Sequence, residues 1–232
     1  MSRSINYDKS ASVTDAVSSR RSLRAFLPKQ VDRETISDLL LTASRAPSST
    51  NMQPWNTYVL MGSSLSRVCA ATCEAFDDIE TTHNSEIRYY PEKWFDPYLT
   101  RRRQVGWALY DLLGITKGDR ERTRAQHRRN FLFFDAPVGL IFSIHRDLST
   151  GSWLDYGMFL QNVMLLAREQ GLHTCPQAAW ADYHEVLRGQ LPIAEHEMVV
   201  CGMAMGFADP DAVENSLVSE RVDSSENVLF LT

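Results

Sequence analysis

Apolar positions along this chain recur at helical spacing in some stretches and gather into short continuous runs in others. Residues 13–20 read as a short helix. At 33–45, Ile36, Leu39, Leu40 and Ala43 share one face, Asp32 precedes them as an N-cap, and Pro47 follows as a stop signal. Residues 57–61 suit a pleated surface and predict a strand, after which Gly62 and Ser63 open a helix to about 78. Further helices are predicted at about 103–114 and 119–130. Pro137 leads into a strand at 138–144, and 197–206 reads as a second buried strand. The stretch 152–169, SWLDYGMFLQNVMLLARE, is apolar almost all round, which predicts a helix buried on more than one side, as at a dimer interface. Gly171 stands where such a helix ends. LHTCP reads as a short strand or turn, Asp182 with Glu185 as a capping-box start to another helix, and NVLFL as a strand-like tail in need of a partner.

A chain of 232 residues with 44% hydrophobic content can bury a substantial core as one domain. The segment from about 80 to 103 interrupts that pattern with Tyr89, Tyr90, Trp94, Phe95 and Tyr98 among prolines and charges, and predicts a surface loop or lid. A net charge of −5 argues against a general nucleic-acid binder, and the basic run at 120–129 reads as a solvated helix face. No run of about 18 apolar residues predicts a membrane span. The opening MSRSINYDKSASVTD has no apolar core, so a cytoplasmic rather than secreted protein is expected. Cys69, Cys73, Cys175 and Cys201 are too scattered for a disulfide framework, and no Cys or His set has zinc-like spacing, so no metal is expected.

Two short segments carry the chemistry. RRSLR at 20–24 sets Arg20, Arg21 and Arg24 around the hydroxyl of Ser22, where a helical stretch gives way to an extended one. APSSTNMQPW at 46–55 sets Ser48, Ser49 and Asn51 between Pro47 and Pro54. One can hold a phosphate, the other can line a pocket with hydroxyls and open backbone. No nucleophile elbow, phosphate-binding loop or dinucleotide fingerprint appears, which shifts the chemistry towards a bound cofactor.

Together these residues resemble the FMN-dependent nitroreductases. RRSLR is similar to that family's N-terminal phosphate and flavin contact motif, and APSSTNMQPW to its second cofactor segment. CPQAAW at 175–180 resembles the proline-led turn over the flavin ring, and GFADPDAVENSLVSERV at 206–222 the C-terminal segment whose arginine reaches the phosphate. The resemblance implies an α+β fold with a central mixed, mostly antiparallel sheet flanked by helices, one domain over 1–232 with a lid excursion at about 80–130, and an intertwined homodimer. It implies FMN held by Arg20, Arg21, Ser22, Arg24 and Arg221, with Gln104 as a further contact, and Pro47, Ser48, Ser49 and Asn51 meeting the ring from the partner chain. Backbone N–H groups of Gln177 and Ala178, after Pro176, would approach the reacting ring nitrogen. Tyr90, Trp94, Phe95 and Tyr98 would stack on an aromatic acceptor. Arg101, Arg102 and Arg103 either favour a carboxylated acceptor or the extra phosphate of NADPH, or are simply solvent-exposed. The implied activity is ping-pong reduction of nitroaromatic compounds, nitrobenzoates among them, to hydroxylamino products by NAD(P)H. The same scaffold also suits quinone or enone reduction, reductive dehalogenation, dehydrogenation, or flavin binding without turnover. Gln177 stands in place of an acid, and Ser219 where some members carry lysine.

Overall fold

A computed structural model describes residues 6–232. Four strands form its sheet: β1 (Asn56–Met61), β2 (Val138–His145), β3 (His173–Gln177) and β4 (Glu197–Gly206), in the order β1-β2-β4-β3. All pairings among them are antiparallel. The parallel component expected of a mixed sheet is a single bridge between Ser22 and Thr174 on β3.

The two central strands, β2 and β4, carry buried residues almost without interruption because both faces of the sheet are covered. On one face Val138, Leu140, Phe142 and Ile144 meet Ile36, Leu39 and Ala43 of α2 (Arg33–Ala43) and Tyr156, Phe159 and Val163 of α6 (Thr150–Glu169). On the other, Leu60, Ile141 and Ala204 meet Val68 of α3 (Gly62–Asp77), Phe133, Trp180 and Leu187 of α7 (His184–Gln190). An irregularity between Phe142 and Ser143 shifts the β2–β4 register by a residue.

Two aromatic rings approach the sheet closely enough to need glycine beneath them. A Cβ on Gly202 would fall inside the Trp180 indole, and one on Gly139 inside the Phe133 ring. The two rings stack on each other at 4.3 Å and 21°. Phe133, Phe134 and Asp135 all have positive φ (47°, 55° and 67°), a left-handed turn that bulky residues adopt only when packing imposes it.

The remaining helices are α1 (Val13–Ser19), capped by the Ser12 side chain, α4 (Tyr98–Leu112) and α5 (Arg120–Arg128). Helix α4 starts earlier than the periodicity suggests and has no buried residue. Gly171 closes α6 with φ +73°: Leu172 N–H donates to Ala167 O at 2.8 Å and Gly171 N–H to Arg168 O at 3.0 Å, the Schellman arrangement.

In a single chain α6 packs against the sheet, α1 and α2, while Leu154 is 72% exposed. One expectation is corrected. The capping box at Asp182 and Glu185 does not form, because residues 178–183 are a 3-10 turn and Tyr183 sits at the start of α7 without a side-chain cap. The tail expected to need a partner lies exposed in a single chain at Leu229, Phe230 and Leu231. No described helix is long and apolar enough to cross a membrane.

Candidate functional site

The RRSLR segment runs along the free edge of β3. Leu23 N–H donates to Thr174 O at 3.2 Å beside the Ser22–Thr174 bridge. Phe26 bridges Ala208, and Leu27 N–H donates to Phe207 O at 2.9 Å, so the same segment stitches β3 to the chain that follows β4. The knot of this stitching is Asn215, fully buried. Its Oδ1 accepts from Arg24 N–H at 2.8 Å, and its Nδ2 donates to Ala25 O at 2.9 Å and Asp209 O at 2.8 Å. One amide thereby uses donor and acceptor ends to fix two distant segments side by side.

The consequence is a cluster of cations. Burial first, then the nearby Arg221 charge, lowers the proton affinity of Arg20. Both Arg20 and Arg24 act on Cys175 of β3, whose thiol burial nevertheless pushes up to about 11. Several arginines elsewhere are paired: Arg128 with Asp77, Arg129 with Glu214, Arg146 and Arg188 with Glu86. Arg20, Arg21, Arg24 and Arg221 have no carboxylate within ion-pair distance among the described residues. Arg21 Nη1 is buried without a partner, and Arg221 is spent on local Ser219 and Glu220 oxygens. Arg20, Arg21 and Arg24 are half-buried and Arg221 exposed; clustered guanidinium groups that lack acids call for an anion, and planar forks suit a phosphate.

A cleft of about 670 Å³ opens beside Arg221. Arg101, Gln104, Val105 and Ala108, at helical spacing on one face of α4, form one wall, and Leu217 to Asp223 another. Gln104 and Arg221 are thus brought together. Of the three arginines read as a group, the lining includes Arg101, which faces Glu226 at 3.8 Å, while Arg102 lies over the Trp94 ring at 4.7 Å.

The other cofactor segment is placed differently. Pro47, Ser49 and Asn51 are exposed and Ser48 half-buried. Ser49 N–H donates to Asp155 Oδ2 at 3.0 Å, Gln53 N–H to Ser48 Oγ at 3.0 Å, and Thr50 and Asn51 have φ of 51° and 61°. The loop is therefore held open on the first turns of α6 by a buried acid. Among the described residues, no hydrogen bond, bridge or ion pair connects it to residues 20–24.

At the end of β3, Pro176 is exposed, Gln177 buried and Ala178 half-buried, with Gln177 paired to Gly202. Gln177 Nε2 donates to Asn130 O at 2.7 Å, and its Oε1 is buried without a donor. The aromatic segment forms a ladder, Tyr89 to Tyr90 at 5.1 Å and Tyr90 to Trp94 at 5.4 Å, with Phe95 against Tyr98 at 5.1 Å. Tyr90, Phe95 and Tyr98 are about half exposed, at 56%, 57% and 51%. Its root is Glu86, which accepts from Arg146 and Arg188 at 3.1 Å each.

Sequence reasoning missed Asn215, Asp155 and Asn130. Asp155 alone left a signal, an acid inside an otherwise apolar helix.

The chain matches the nitroreductase family over residues 17–207. It is 41% identical over 219 residues to the chloronitrobenzene nitroreductase of Comamonas testosteroni, covering 94% of this chain and 96% of that one. It is 40% identical over 205 residues to the 4-nitrobenzoate reductase of Pseudomonas putida, covering 88% and 89%. Among solved structures it superposes with a TM-score of 0.91 on the FMN and NADPH-dependent nitroreductase NfnB from sphigopyxis sp. strain HMH, at 37% identity and with 95% and 99% of the two chains covered.

Proposed function

The chain belongs to the nitroreductase family, and from that premise we propose that it is an FMN-dependent NAD(P)H oxidoreductase that reduces nitroaromatic compounds. The observation that carries the reading is the set of guanidinium groups, Arg20, Arg21, Arg24 and Arg221, gathered near the β3 edge with no carboxylate within ion-pair distance among the described residues. They fit a phosphate monoester, and the adjoining cleft with Gln104 offers room for what the phosphate carries.

Bound FMN supplies hydride transfer between NAD(P)H and the acceptor. The chain does the rest. Arg20, Arg21, Arg24 and Arg221 hold the phosphate, Ser22 offers its hydroxyl to the ribityl or pyrimidine side, and Asn215 keeps the two arginine segments in register. The exposed end of β3, with the N–H groups of Gln177 and Ala178, orients the reacting edge and offsets negative charge there. Tyr90, Trp94, Phe95 and Tyr98 stack on a flat acceptor and exclude water from it, as part of a lid spanning about 80–130 within a single domain over 1–232. One pocket used in turn by donor and acceptor gives ping-pong kinetics.

A homodimer completes the site. The loop with Pro47, Ser48, Ser49 and Asn51 makes no hydrogen bond, bridge or ion pair to its own chain's residues 20–24 among the described residues, Leu154 on α6 and the apolar tail are exposed, and α4 has no buried residue. A second copy covers such surfaces and brings the loop to the partner's flavin. Four buried free thiols suit a reducing compartment, in keeping with a cytoplasmic site of action.

The test is a purified protein with a flavin absorption spectrum that is bleached by NADH or NADPH under nitrogen and restored by nitrobenzene or 4-nitrobenzoate, with parallel double-reciprocal lines. A colourless protein that takes up no FMN and turns over no acceptor refutes the reading. Bleaching restored by a quinone but by no nitroaromatic favours the quinone reductase instead.

A further inference from the structure

Gln177 and Asn130 form an amide chain whose orientation the carbonyl groups dictate. Asn130 Nδ2 sits 3.0 Å from His127 O, a main-chain oxygen that only accepts, so Asn130 must present its nitrogen there and turn Oδ1 the other way. Gln177 lies 2.7 Å from Asn130 O and 3.3 Å from that Oδ1, again two acceptors. Its NH₂ must face both. Gln177 Oε1 is therefore the end left over, on a residue 3% exposed, and it has no donor among the described residues. A buried acceptor without a donor is destabilising, and a bound molecule carrying an N–H relieves it.

The surroundings keep this arrangement rigid. Asn130 leads into the left-handed turn at Phe133–Asp135, locked by the Phe133–Trp180 stack over Gly139 and Gly202, and Gly202 is the residue opposite Gln177. Both ends of the amide chain thus rest on the same packed unit.

Resting on the flavin reading above, we propose that Gln177 Oε1 accepts a hydrogen bond from an N–H on the edge of the bound redox heterocycle, and that Asn130 is the positioning residue that turns that oxygen towards it. The amide is required: a glutamate at 177 would set its carboxylate against two oxygens. At the reacting edge such an N–H has two sources, the flavin nitrogen that carries hydrogen only when reduced and the carboxamide of the nicotinamide.

Gln177→Met keeps the volume and removes the acceptor; Asn130→Leu keeps the main-chain oxygen and removes both side-chain anchors. The readouts are the midpoint potential of bound FMN without nicotinamide, and the dissociation constant of oxidised NADP⁺ and NAD⁺ followed by flavin fluorescence. If the flavin is the donor, Gln177→Met makes the potential more negative by about 30 mV for each tenfold loss of preference for the reduced form. Asn130→Leu shifts it the same way by less. If the nicotinamide is the donor, the potential stays and the dissociation constant rises about tenfold in Gln177→Met. Gln177→Glu adds a pH-dependent step to either readout, because its acid must give up a proton facing two acceptors. Wild-type protein that binds no FMN sinks the flavin reading. Variants that bind FMN stoichiometrically with both readouts unchanged overturn this inference alone.

Discussion

His173 opens β3 one residue before the Thr174 bridge to the arginine segment, so its charge state bears directly on the site. Its Nε2 lies 2.9 Å from Arg168 Nη1. A guanidinium only donates, so that nitrogen accepts and carries no proton. Burial first, then the Arg168 charge, pushes the imidazole down to about 3. In the unfolded chain histidine titrates near about 6.5. The unfolded state therefore takes up a proton first, and stability falls as pH drops from about 6.5 towards 3, by about 1.4 kcal/mol per unit. Between pH 7.5 and 5.0 the contribution is about 2 kcal/mol. His173→Gln keeps an acceptor for Arg168 and removes the titration. Urea unfolding followed by tryptophan fluorescence at the two pH values should show wild type losing about 2 kcal/mol more than the variant. Equal losses, within about 0.5 kcal/mol, would refute the reasoning, since His127, which burial also lowers, is common to both proteins.

Other expectations follow from single contacts. Arg168 is 1% exposed and donates to Ser19 Oγ, Leu172 O, His173 Nε2, Asn6 O and Asp8 O, so Arg168→Met should cost about 3–5 kcal/mol in a denaturant titration and free residues 6–12 to protease. Asn215→Ala removes the knot between residues 24–25 and 209; a loss of about 1–3 kcal/mol is expected, with FMN affinity falling more steeply than stability when both are measured by thermal shift and fluorescence titration. Gly202→Ala drives a methyl into Trp180 and should cost at least about 1–3 kcal/mol by urea unfolding, whereas Gly106→Ala, with open space around it, should cost nothing. Arg221→Gln should weaken FMN binding by about tenfold, with the difference from wild type shrinking as salt rises.

Helices and strands were legible where one periodic signal decided them: α2 from Ile36, Leu39 and Ala43, β2 and β4 from unbroken apolar runs, the end of α6 from Gly171. Signals failed where a tertiary contact wins over a local one. Asp182 is a fair cap in isolation, but the chain there is already committed to the 3-10 turn that places Trp180 on Gly202. Nothing in FLFFD announces a left-handed turn, since phenylalanine disfavours it; the Phe133–Trp180 stack imposes it. The arginine motif was readable as residue types, but its assembly was not. Arg20 and Arg221 meet because Asn215 bonds to residues far away in sequence, and a lone asparagine carries no mark of its partners. The aromatic run at 89–98 was visible from composition, and its root at Glu86 was not, because Arg146 and Arg188 come from elsewhere in the chain.

The Asn215 knot also sets a condition on biosynthesis. Residues 20–24 leave the ribosome before any strand of the sheet, and the oxygen and nitrogen that fasten them arrive after the last strand. Until then the growing polypeptide exposes a knot of positive charge with no counterpart and no closed edge on β3. A message truncated before codon 215 would yield a product that keeps its sheet residues and loses the means to grip its ligand.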